Sequence, residues 1–472
     1  MQHSSTTINT MKKLKVLTIV LLSAIGTVNA QYIKIHDFAG ADGIAPNGTL
    51  IVIGNKLFGM TSNGGADSNG CIFSINKDGS GYKDILDFDS ANGSTPYGSL
   101  LFSGGVLYGM TSAGGSLNKG VLFSVDTDGT SYTDLLDFGT GNAHGTNPYG
   151  SLIVSGNLLF GMTKYGGTNG SGCIFSILTN GGAFKEVYSF TAASGNTPQG
   201  SLLLSGNVLY GLTYYGGAHG YGTIFSVDTN GTGFKDMFDF NVVNGMYPEG
   251  SLILSGNLLF GMTSDGGTHA AGLIFSIDTN GNFYKDLHDF SAAGAYPWGS
   301  LVLYGASTLV GLSRQGGTNG FGTIFSIDTT GSGFNTEYSF TFLPDGQTPL
   351  GDLVLSGNTF YGMTSAGGTS KDGTIFSFKN VALGTKQLSN NYTGIKIFPN
   401  PSNGLFNVVI NGEKQSQSKI EIYNMIGDKV YAATLSILNY QFSIDVPSGI
   451  YLYRVISETG NIVSTGKLII DK

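Results

Sequence analysis

The chain has 472 residues, of which 75 are glycine, and it carries 23 basic and 31 acidic residues. The glycines follow no three-residue period, which excludes a collagen-like chain, and 40 % hydrophobic residues with 30 Phe and 24 Tyr exclude disorder. The formal net charge is −8, and between Gln31 and Asn380 there are 12 basic and 25 acidic residues, so a nucleic-acid partner is not expected. These bounds leave a β-rich, turn-rich globular protein of one to three domains.

Residues 1–30 are predicted to be an N-terminal extension and signal peptide. Met11 to Lys15 supplies a positive segment, Val16 to Ile25 an apolar one, and Val28 to Ala30 a small-residue cleavage site. Translation starts at either Met1 or Met11. The apolar run is too short to span a membrane, so a secreted protein without a transmembrane anchor is expected.

Residues 31–380 consist of seven tandem repeats. Each repeat carries an Asp/Ser-Phe pair, a Pro-x-Gly, a Gly-Gly and a Gly-x-Ile/Leu-Phe-Ser. Such periodicity indicates a repeat architecture. A tetrapeptide of the type aromatic-Gly-Met/Leu-Thr recurs every 50 to 52 residues, with its glycine at Gly59, Gly109, Gly161, Gly211, Gly261, Gly311 and Gly362.

Turn residues divide each repeat into four short strands. In the fourth repeat the predicted strands are Ser201 to Leu204, Val208 to Thr213, Thr223 to Asp228 and Phe234 to Phe240, separated by Gly- and Asn-containing turns. Each unit is therefore a four-stranded antiparallel meander of about 50 residues. The sequence predicts an all-β fold, a seven-bladed β-propeller, rather than a stacked solenoid, which would need terminal caps.

Ring closure is predicted from the two ends of the repeat region. Tyr32 to Phe38 is a lone fourth strand, whereas the last repeat stops after its third strand, Thr374 to Phe378. We expect the N-terminal strand to complete the last blade, which leaves no open edge.

The two cysteines occupy equivalent positions in two repeats. Cys71 and Cys173 each follow the glycine of Gly-x-Ile-Phe-Ser, two units apart. Equivalent positions two units apart should not touch, so buried free thiols are expected rather than a disulfide or a metal site.

The repeat layout resembles kelch blades and, more closely, the tandem glycine-rich "GloVer" repeat family of bacterial surface proteins. The resemblance covers residues 31–380. It implies no defined activity.

Residues 381–394 are predicted to be a linker, and residues 395–472 a small immunoglobulin-like β-sandwich. Short strands are expected at Ile395 to Phe398, Phe406 to Ile410, Lys419 to Tyr423, Gln441 to Val446, Tyr451 to Val455 and Gly466 to Ile470. Their spacing of eight to twelve residues is typical of a sandwich.

Four sequence blocks stand in order in this region: Phe398 to Gly404, Ile422 to Val430, Pro447 to Tyr451 and Lys467 to Ile470. Together they resemble the C-terminal sorting domain of type IX secretion in Bacteroidota. The resemblance implies export across the outer membrane, recognition by the translocon, removal by a sortase-like protease, and attachment to the cell surface or release. An ordinary immunoglobulin-like accessory domain is the alternative. The motif positions are Pro399, Asn400, Pro401, Gly404, Gly427, Gly449, Tyr451 and Lys467.

Motifs for cofactor or metal chemistry are weak. Asp126 to Gly129 and Asp228 to Gly231 resemble the start of a calcium loop but lack its remaining ligands, so they are interpreted as turns. No cofactor and no metal ion are expected. Five acidic residues on the outer strands are interpreted as solvated edge charges: Glu186, Asp236, Asp239, Asp286 and Asp289.

Candidate ligand-binding residues are those that differ between repeats in two loops expected on one face of the propeller. Aromatic rings with interleaved polar groups suit sugar rings, although exposed loop residues can also vary without constraint. The candidates are Tyr97, Tyr149, Lys164, Tyr165, Tyr214, Tyr215, His219, Glu249, His269, Trp298, Arg314 and Gln315.

The predicted function is a cell-surface binding module, with an extracellular glycan as the favoured ligand. A protein-binding adhesion module is one alternative. A polysaccharide lyase or hydrolase is the other; it would require paired carboxylates, for which Glu249 and Asp265 are the candidates, near a cation such as Arg314.

Overall fold

The structure, a computed structural model, describes residues 31–141, 143–291, 294–379, 395–410, 418–424, 428–435, 439–456 and 462–472. These described residues form strands, turns and loops without any helix, which confirms the all-β class. The chain divides into two compact units, Met1–Val381 and Ala382–Lys472. The predicted signal peptide and linker lie outside the described residues.

The described residues of the first unit form 28 strands. The first fourteen are β1 (Gln31–Asp37), β2 (Ile51–Ile53), β3 (Lys56–Thr61), β4 (Cys71–Asn76), β5 (Lys83–Asp87), β6 (Leu101–Ser103), β7 (Val106–Met110), β8 (Val121–Asp126), β9 (Thr133–Asp137), β10 (Ile153–Ser155), β11 (Leu158–Thr163), β12 (Cys173–Leu178), β13 (Lys185–Ser189) and β14 (Leu203–Ser205). The others are β15 (Val208–Thr213), β16 (Thr223–Asp228), β17 (Lys235–Asp239), β18 (Ile253–Ser255), β19 (Leu258–Thr263), β20 (Leu273–Asp278), β21 (Lys285–Asp289), β22 (Val302–Tyr304), β23 (Thr308–Ser313), β24 (Thr323–Asp328), β25 (Asn335–Ser339), β26 (Val354–Ser356), β27 (Thr359–Thr364) and β28 (Thr374–Lys379).

These strands pair into seven four-stranded antiparallel sheets in the described part of the first unit. Six sheets contain consecutive strands, from β2-β3-β4-β5 to β22-β23-β24-β25. The remaining sheet has the order β1-β28-β27-β26, with Gln31 opposite Lys379 and Asp37 opposite Thr374. The N-terminal strand therefore completes the last blade, as the strand count predicts.

A closed ring of hydrogen bonds joins the sheets near their first strands. The backbone N–H of Thr49 donates to Ser99 Oγ at 2.8 Å, and the N–H of Asp352 donates to Thr49 Oγ1 at 2.9 Å. Because the last bond returns to the first residue, the sheets surround a common axis as propeller blades do. The donors and acceptors continue in order through Ser99, Ser151, Ser201, Ser251, Ser300 and Asp352.

The repeated glycine of the tetrapeptide has a packing reason. Gly161 on β11 lies opposite Phe175 on β12, and a Cβ at Gly161 would approach Phe175 Cζ to 2.6 Å. The missing side chain leaves room for a fully buried ring in the middle of the blade. The phenylalanines of the Asp/Ser-Phe pairs then pack edge-on against that ring of the next blade, as Phe138 does on Phe175 at 5.4 Å.

Two of the four strands predicted in the fourth repeat have the observed bounds, and two do not. β15 and β16 match the prediction, whereas β14 begins at Leu203 and β17 ends at Asp239. Ser201 lies outside the ladder because its N–H donates to Ser251 Oγ in the axial ring, and the N–H of Phe240 donates to the carbonyl oxygen of Gly222.

The cysteines are free and buried, as predicted. Cys71 Sγ lies 3.3 Å from Thr61 Oγ1, and Cys173 Sγ lies 3.3 Å from Thr163 Oγ1. Burial raises the pKa of both thiols to about 12, so neither is a reactive thiolate at neutral pH.

The interpretation of the outer-strand acids as solvated edge charges was wrong for three of them. The carboxylates of Asp239 and Asp289 accept hydrogen bonds from the backbone N–H of Ala218 and Thr268, at 2.7 and 2.8 Å. Glu186 accepts the N–H of Thr168 in the same way, at 2.8 Å. These acids anchor the loop between the second and third strands, whereas Asp236 and Asp286 are exposed.

The second unit contains two sheets around one core. The sheets have the orders β29-β30-β33 and β32-β31-β34-β35, and residues from both, including Phe406, Ile422 and Leu468, are buried in one cluster. This is a β-sandwich, and it contains one strand, β32, that was missing from the sequence prediction. The strands are β29 (Ile395–Phe398), β30 (Leu405–Ile410), β31 (Ser418–Tyr423), β32 (Lys429–Leu435), β33 (Asn439–Ser443), β34 (Gly449–Ile456) and β35 (Ile462–Ile470).

Candidate binding face

The loops that carry the variable residues lie side by side. The loop entering each blade pairs with the loop between its second and third strands through a short bridge, for example Thr146 with Tyr165 and Asn196 with Tyr215. The same pairing joins Met246 with Asp265. The two sets of loops therefore share one face of the propeller, as predicted.

The residue before each Pro-x-Gly fixes the backbone at this face. It has a left-handed conformation, with φ near +55° in residues such as Thr95 and Tyr247, and its carbonyl oxygen accepts a hydrogen bond from the facing loop. In four blades a serine hydroxyl also donates to that carbonyl, at 2.8 to 2.9 Å: Ser62, Ser112, Ser264 and Ser365.

In the other three blades this serine is replaced by a large side chain. The replacements are Lys164, Tyr214 and Arg314. Their backbone N–H groups still donate to the same carbonyl, at 3.2 to 3.4 Å, so the loop geometry is retained without the hydroxyl. The fold therefore does not require a large side chain at these positions.

Lys164 lies at the centre of an aromatic cluster. Its Nζ is 4.2 Å from the ring centroid of Tyr149 and 5.6 Å from that of Tyr165. Tyr149 stacks on Tyr97 of the preceding blade, with ring centroids 4.1 Å apart. Lys164 Nζ also donates to Oε1 of Gln199 at 3.5 Å. Three neighbouring blades thus contribute to one surface.

A second aromatic cluster follows in the next two blades. Tyr214 stacks on Tyr247 at 5.1 Å and meets the edge of Tyr215 at 4.5 Å. Tyr215 is 44 % exposed. Comparison of the seven repeats missed Tyr247, because it precedes the proline rather than following it. The available signal was an aromatic residue beside the proline that all seven repeats share.

The indole ring of Trp298 carries a third cation–π contact. Arg314 Cζ lies 4.5 Å from the Trp298 ring centroid. Gln315, the next residue, is exposed and pairs through its backbone with Ala295.

Glu249 lies between these clusters. Burial raises its pKa to about 8, against the opposing influence of Arg314 and Lys164. The negative charge of Asp265 also raises the pKa of Glu249. Ser264 Oγ donates to the carbonyl oxygen of Tyr247 and lies 2.8 Å from Asp265 Oδ2.

We call these residues together the aromatic face; they come from five of the seven blades. The other two blades carry Asn47 and Asn63, and Leu350 and Ala366, at the equivalent positions. The aromatic face consists of Tyr97, Tyr149, Lys164, Tyr165, Gln199, Tyr214, Tyr215, Tyr247, Glu249, Trp298, Arg314 and Gln315.

The structure does not bring the two predicted histidines into the aromatic face. His219 and His269 are exposed in the outer halves of their loops, next to residues that hydrogen-bond the outer strand. His269 lies near His288 on β21, whose pKa is lowered mainly by burial. The Gly-Gly turn that precedes each histidine separates it from the inner half of the loop.

Metal ligands are not gathered in the described residues. The described residues contain no group of three or more His, Cys, Asp or Glu side chains placed to hold an ion. In the calcium-like segment Asp126–Gly129, the carboxylate of Asp128 accepts the N–H of Thr130 at 3.0 Å, and the N–H of Gly129 donates to Asp126 O. The segment is a turn.

The raised pKa of Glu249 predicts a pH-dependent stability. Between its ordinary value of 4.5 and about 8, the folded protein holds a proton that the unfolded chain has lost. The free energy of unfolding should therefore fall as the pH rises through this window. Urea unfolding at about pH 5 and pH 8 should show Glu249→Gln gaining stability relative to wild type at the higher pH, since glutamine does not titrate. An unchanged difference would show that Glu249 is not buried.

In the second unit, the predicted motif residues connect distant strands. Asn400 Nδ2 donates to Lys467 O and its Oδ1 accepts the N–H of Ile469, both at 2.7 Å. Tyr451 OH donates to Pro447 O at 2.9 Å. Gly404 has φ +108°, and Gly449 begins β34. Pro399 and Pro401 flank Asn400, and Gly427 lies outside the described residues.

A solved structure with a TM-score above 0.5 shows the same fold. The extracellular domain of a protein described as a one-component system from B. thetaiotaomicron aligns with a TM-score of 0.51 at 11 % identity, over 93 % of this chain and 59 % of that one. PorZ, described as an essential bacterial surface component of the type IX secretion system of Porphyromonas gingivalis, aligns at 0.46 and 12 %, over 90 % and 60 %. The chain spans less than two thirds of both. No curated protein matches the sequence.

Two family models match the sequence. The Gloeobacter/Verrucomicrobia repeat matches residues 21–142, 135–313 and 240–407, and the secretion system C-terminal sorting domain matches residues 396–471. The sorting domain marks export by type IX secretion to the cell surface or extracellular space. The described residues include no helix long and apolar enough to cross a membrane. The chain therefore belongs to the Gloeobacter/Verrucomicrobia repeat family and ends in a type IX sorting domain.

Proposed function

We propose that this secreted protein is a cell-surface module whose aromatic face binds an extracellular glycan. One observation carries the proposal: Tyr, Lys and Arg stand where the other blades use a serine that bonds the backbone. Large side chains at positions where the fold needs only a serine favour a role in recognition rather than in folding.

The chemistry of the face suits a sugar chain. The rings of Tyr215 and Tyr165 are 44 % and 46 % exposed, and a pyranose stacks its C–H face on such rings. The side chains of Gln199 and Gln315 place hydrogen-bonding groups beside the rings, where sugar hydroxyls require them. A protein-binding adhesion module is the alternative, and it would use the same rings without a preference among sugars.

Alanine variants test the proposal. Trp298→Ala and the pair Tyr214→Ala/Tyr215→Ala are expected to leave the melting temperature nearly unchanged and to weaken binding at least about tenfold, or 1.4 kcal/mol. Binding would be measured on an array of neutral and acidic polysaccharides and then by titration. Phe283→Ala is the matched control, because Phe283 is 83 % exposed in a hairpin on the opposite face. A large loss of stability with binding intact would show that these rings are core residues.

Glycan cleavage is a second candidate, favoured by Glu249, because burial and, to a smaller extent, the charge of Asp265 raise its pKa to about 8. Paired carboxyl groups about 5 to 10 Å apart, one of them protonated at neutral pH, suit general acid catalysis at a glycosidic bond. New reducing ends released from a bound glycan by wild type, and not by Glu249→Gln, would establish cleavage. Binding without release identifies a binding module.

A further inference from the structure

We propose that the glycan bound by the aromatic face is anionic, bearing carboxylate or sulfate groups, and that Lys164 and Arg314 bind those groups. This inference rests on the proposed function of the same face. It adds the chemical class of the ligand, which the aromatic rings alone do not determine.

Both cationic side chains, Lys164 and Arg314, contact rings of the aromatic face. Lys164 Nζ lies 4.2 Å from the centroid of Tyr149, and Arg314 Cζ lies 4.5 Å from that of Trp298. A cation–π contact uses the charge of the cation but not all of its N–H donors, so each cation can still donate to an anionic group. An acidic substituent of a sugar stacked on a neighbouring ring would therefore lie close to one of these cations.

The described structure gives neither cation a carboxylate partner within salt-bridge distance. The closest polar partner of Lys164 is the neutral side chain of Gln199, at 3.5 Å. Glu249 faces both cations and also Asp265, Tyr149 and Tyr214, yet burial keeps it protonated at neutral pH. Asp265 accepts a hydrogen bond from Ser264 through Oδ2, and among the described residues it forms no ion pair with either cation. Positive charge thus remains available for a ligand.

The positive charge of Lys164 and Arg314 is opposite in sign to the net charge of residues 31–380. Residues 31–380 carry 25 acidic and 12 basic side chains, so an anionic polymer would be repelled by most of the surface. Two cations that replace structural serines on one face would direct such a polymer to that face, and discrimination of this kind combines local attraction with repulsion elsewhere.

Two pairs of polymers that differ only in charge test the inference on the full secreted chain. The pairs are polygalacturonate with its methyl ester, and dextran sulfate with dextran. The charged member of at least one pair is expected to bind at least about tenfold more tightly. The double variant Lys164→Met/Arg314→Met should abolish this preference. Lys371→Met, which removes a lysine from another loop of the same face, should retain it.

A pH series adds an independent readout. Binding of the charged polymer should weaken as the pH rises from about 7 to 9, because Glu249 then acquires a negative charge beside the two cations. Glu249→Gln should remove this dependence. Equal binding of both members of each pair, or binding unchanged in the double variant, would overturn the inference and leave glycan binding intact. Failure to bind any polymer, including the array, would overturn both proposals.

Discussion

A chain that begins at Ala39 instead of Gln31 is expected to lose the folded propeller. β1 supplies the fourth strand of the last blade, and without it the edge of β28 is unpaired. The deletion also removes Tyr32, which stacks on Tyr338 at 4.3 Å, and the fully buried Phe38. Loss of one buried phenylalanine alone costs about 3 to 5 kcal/mol, a large part of the stability of a typical domain.

Circular dichroism melting checks this prediction. The control is a chain that begins at Gln31, which keeps β1 and should melt as the longer chain does. A synthetic peptide of residues 31–38, added to the shortened chain, should restore part of the transition. A shortened chain with an unchanged melting temperature would contradict closure of the ring by β1.

Removal of residues 395–472 is expected to abolish surface display while the propeller remains folded. The deleted residues form a sandwich with its own core, and they are the part of the chain that matches the sorting domain. The truncated protein should accumulate in the periplasm. Labelling of intact cells would measure display, and melting of the recovered protein would show that the propeller is folded.

The control for this deletion is the full chain carrying Glu249→Gln, which should reach the surface because the change lies far from the sorting motif in sequence. The recovered surface form of the wild type should lack Lys472 and end in or near residues 381–394, which mass spectrometry can determine. Undiminished display after truncation would contradict the role of the sorting domain.

The strand content of each blade could be predicted because local sequence carries it. β15 and β16 have the predicted bounds, since Gly211 and Phe225 face each other within one blade. The ends of β14 could not be predicted in the same way. The backbone N–H of Ser201 donates a hydrogen bond to Ser251 Oγ of the next blade, and that contact depends on how blades are placed around the axis.

The candidate site was partly predictable because local sequence also carries the differences between repeats. Comparison of equivalent positions identified Trp298 and Tyr214 because these residues depart from the repeat. It missed Tyr247, which lies at a position where only the left-handed backbone turns the side chain toward Tyr214. It also included His219, which the structure places in the outer half of its loop because the turn after Tyr215 directs the chain toward the outer strand.

Intrinsic fluorescence tests the central claim most directly, because Trp298 is the single tryptophan of the chain and lies in the aromatic face. The full chain would be titrated with the polysaccharide that binds most tightly on the array. We expect a saturable change in tryptophan emission whose midpoint equals the dissociation constant measured by calorimetry. Calorimetric binding with unchanged emission would place the ligand elsewhere and contradict the assignment of this face.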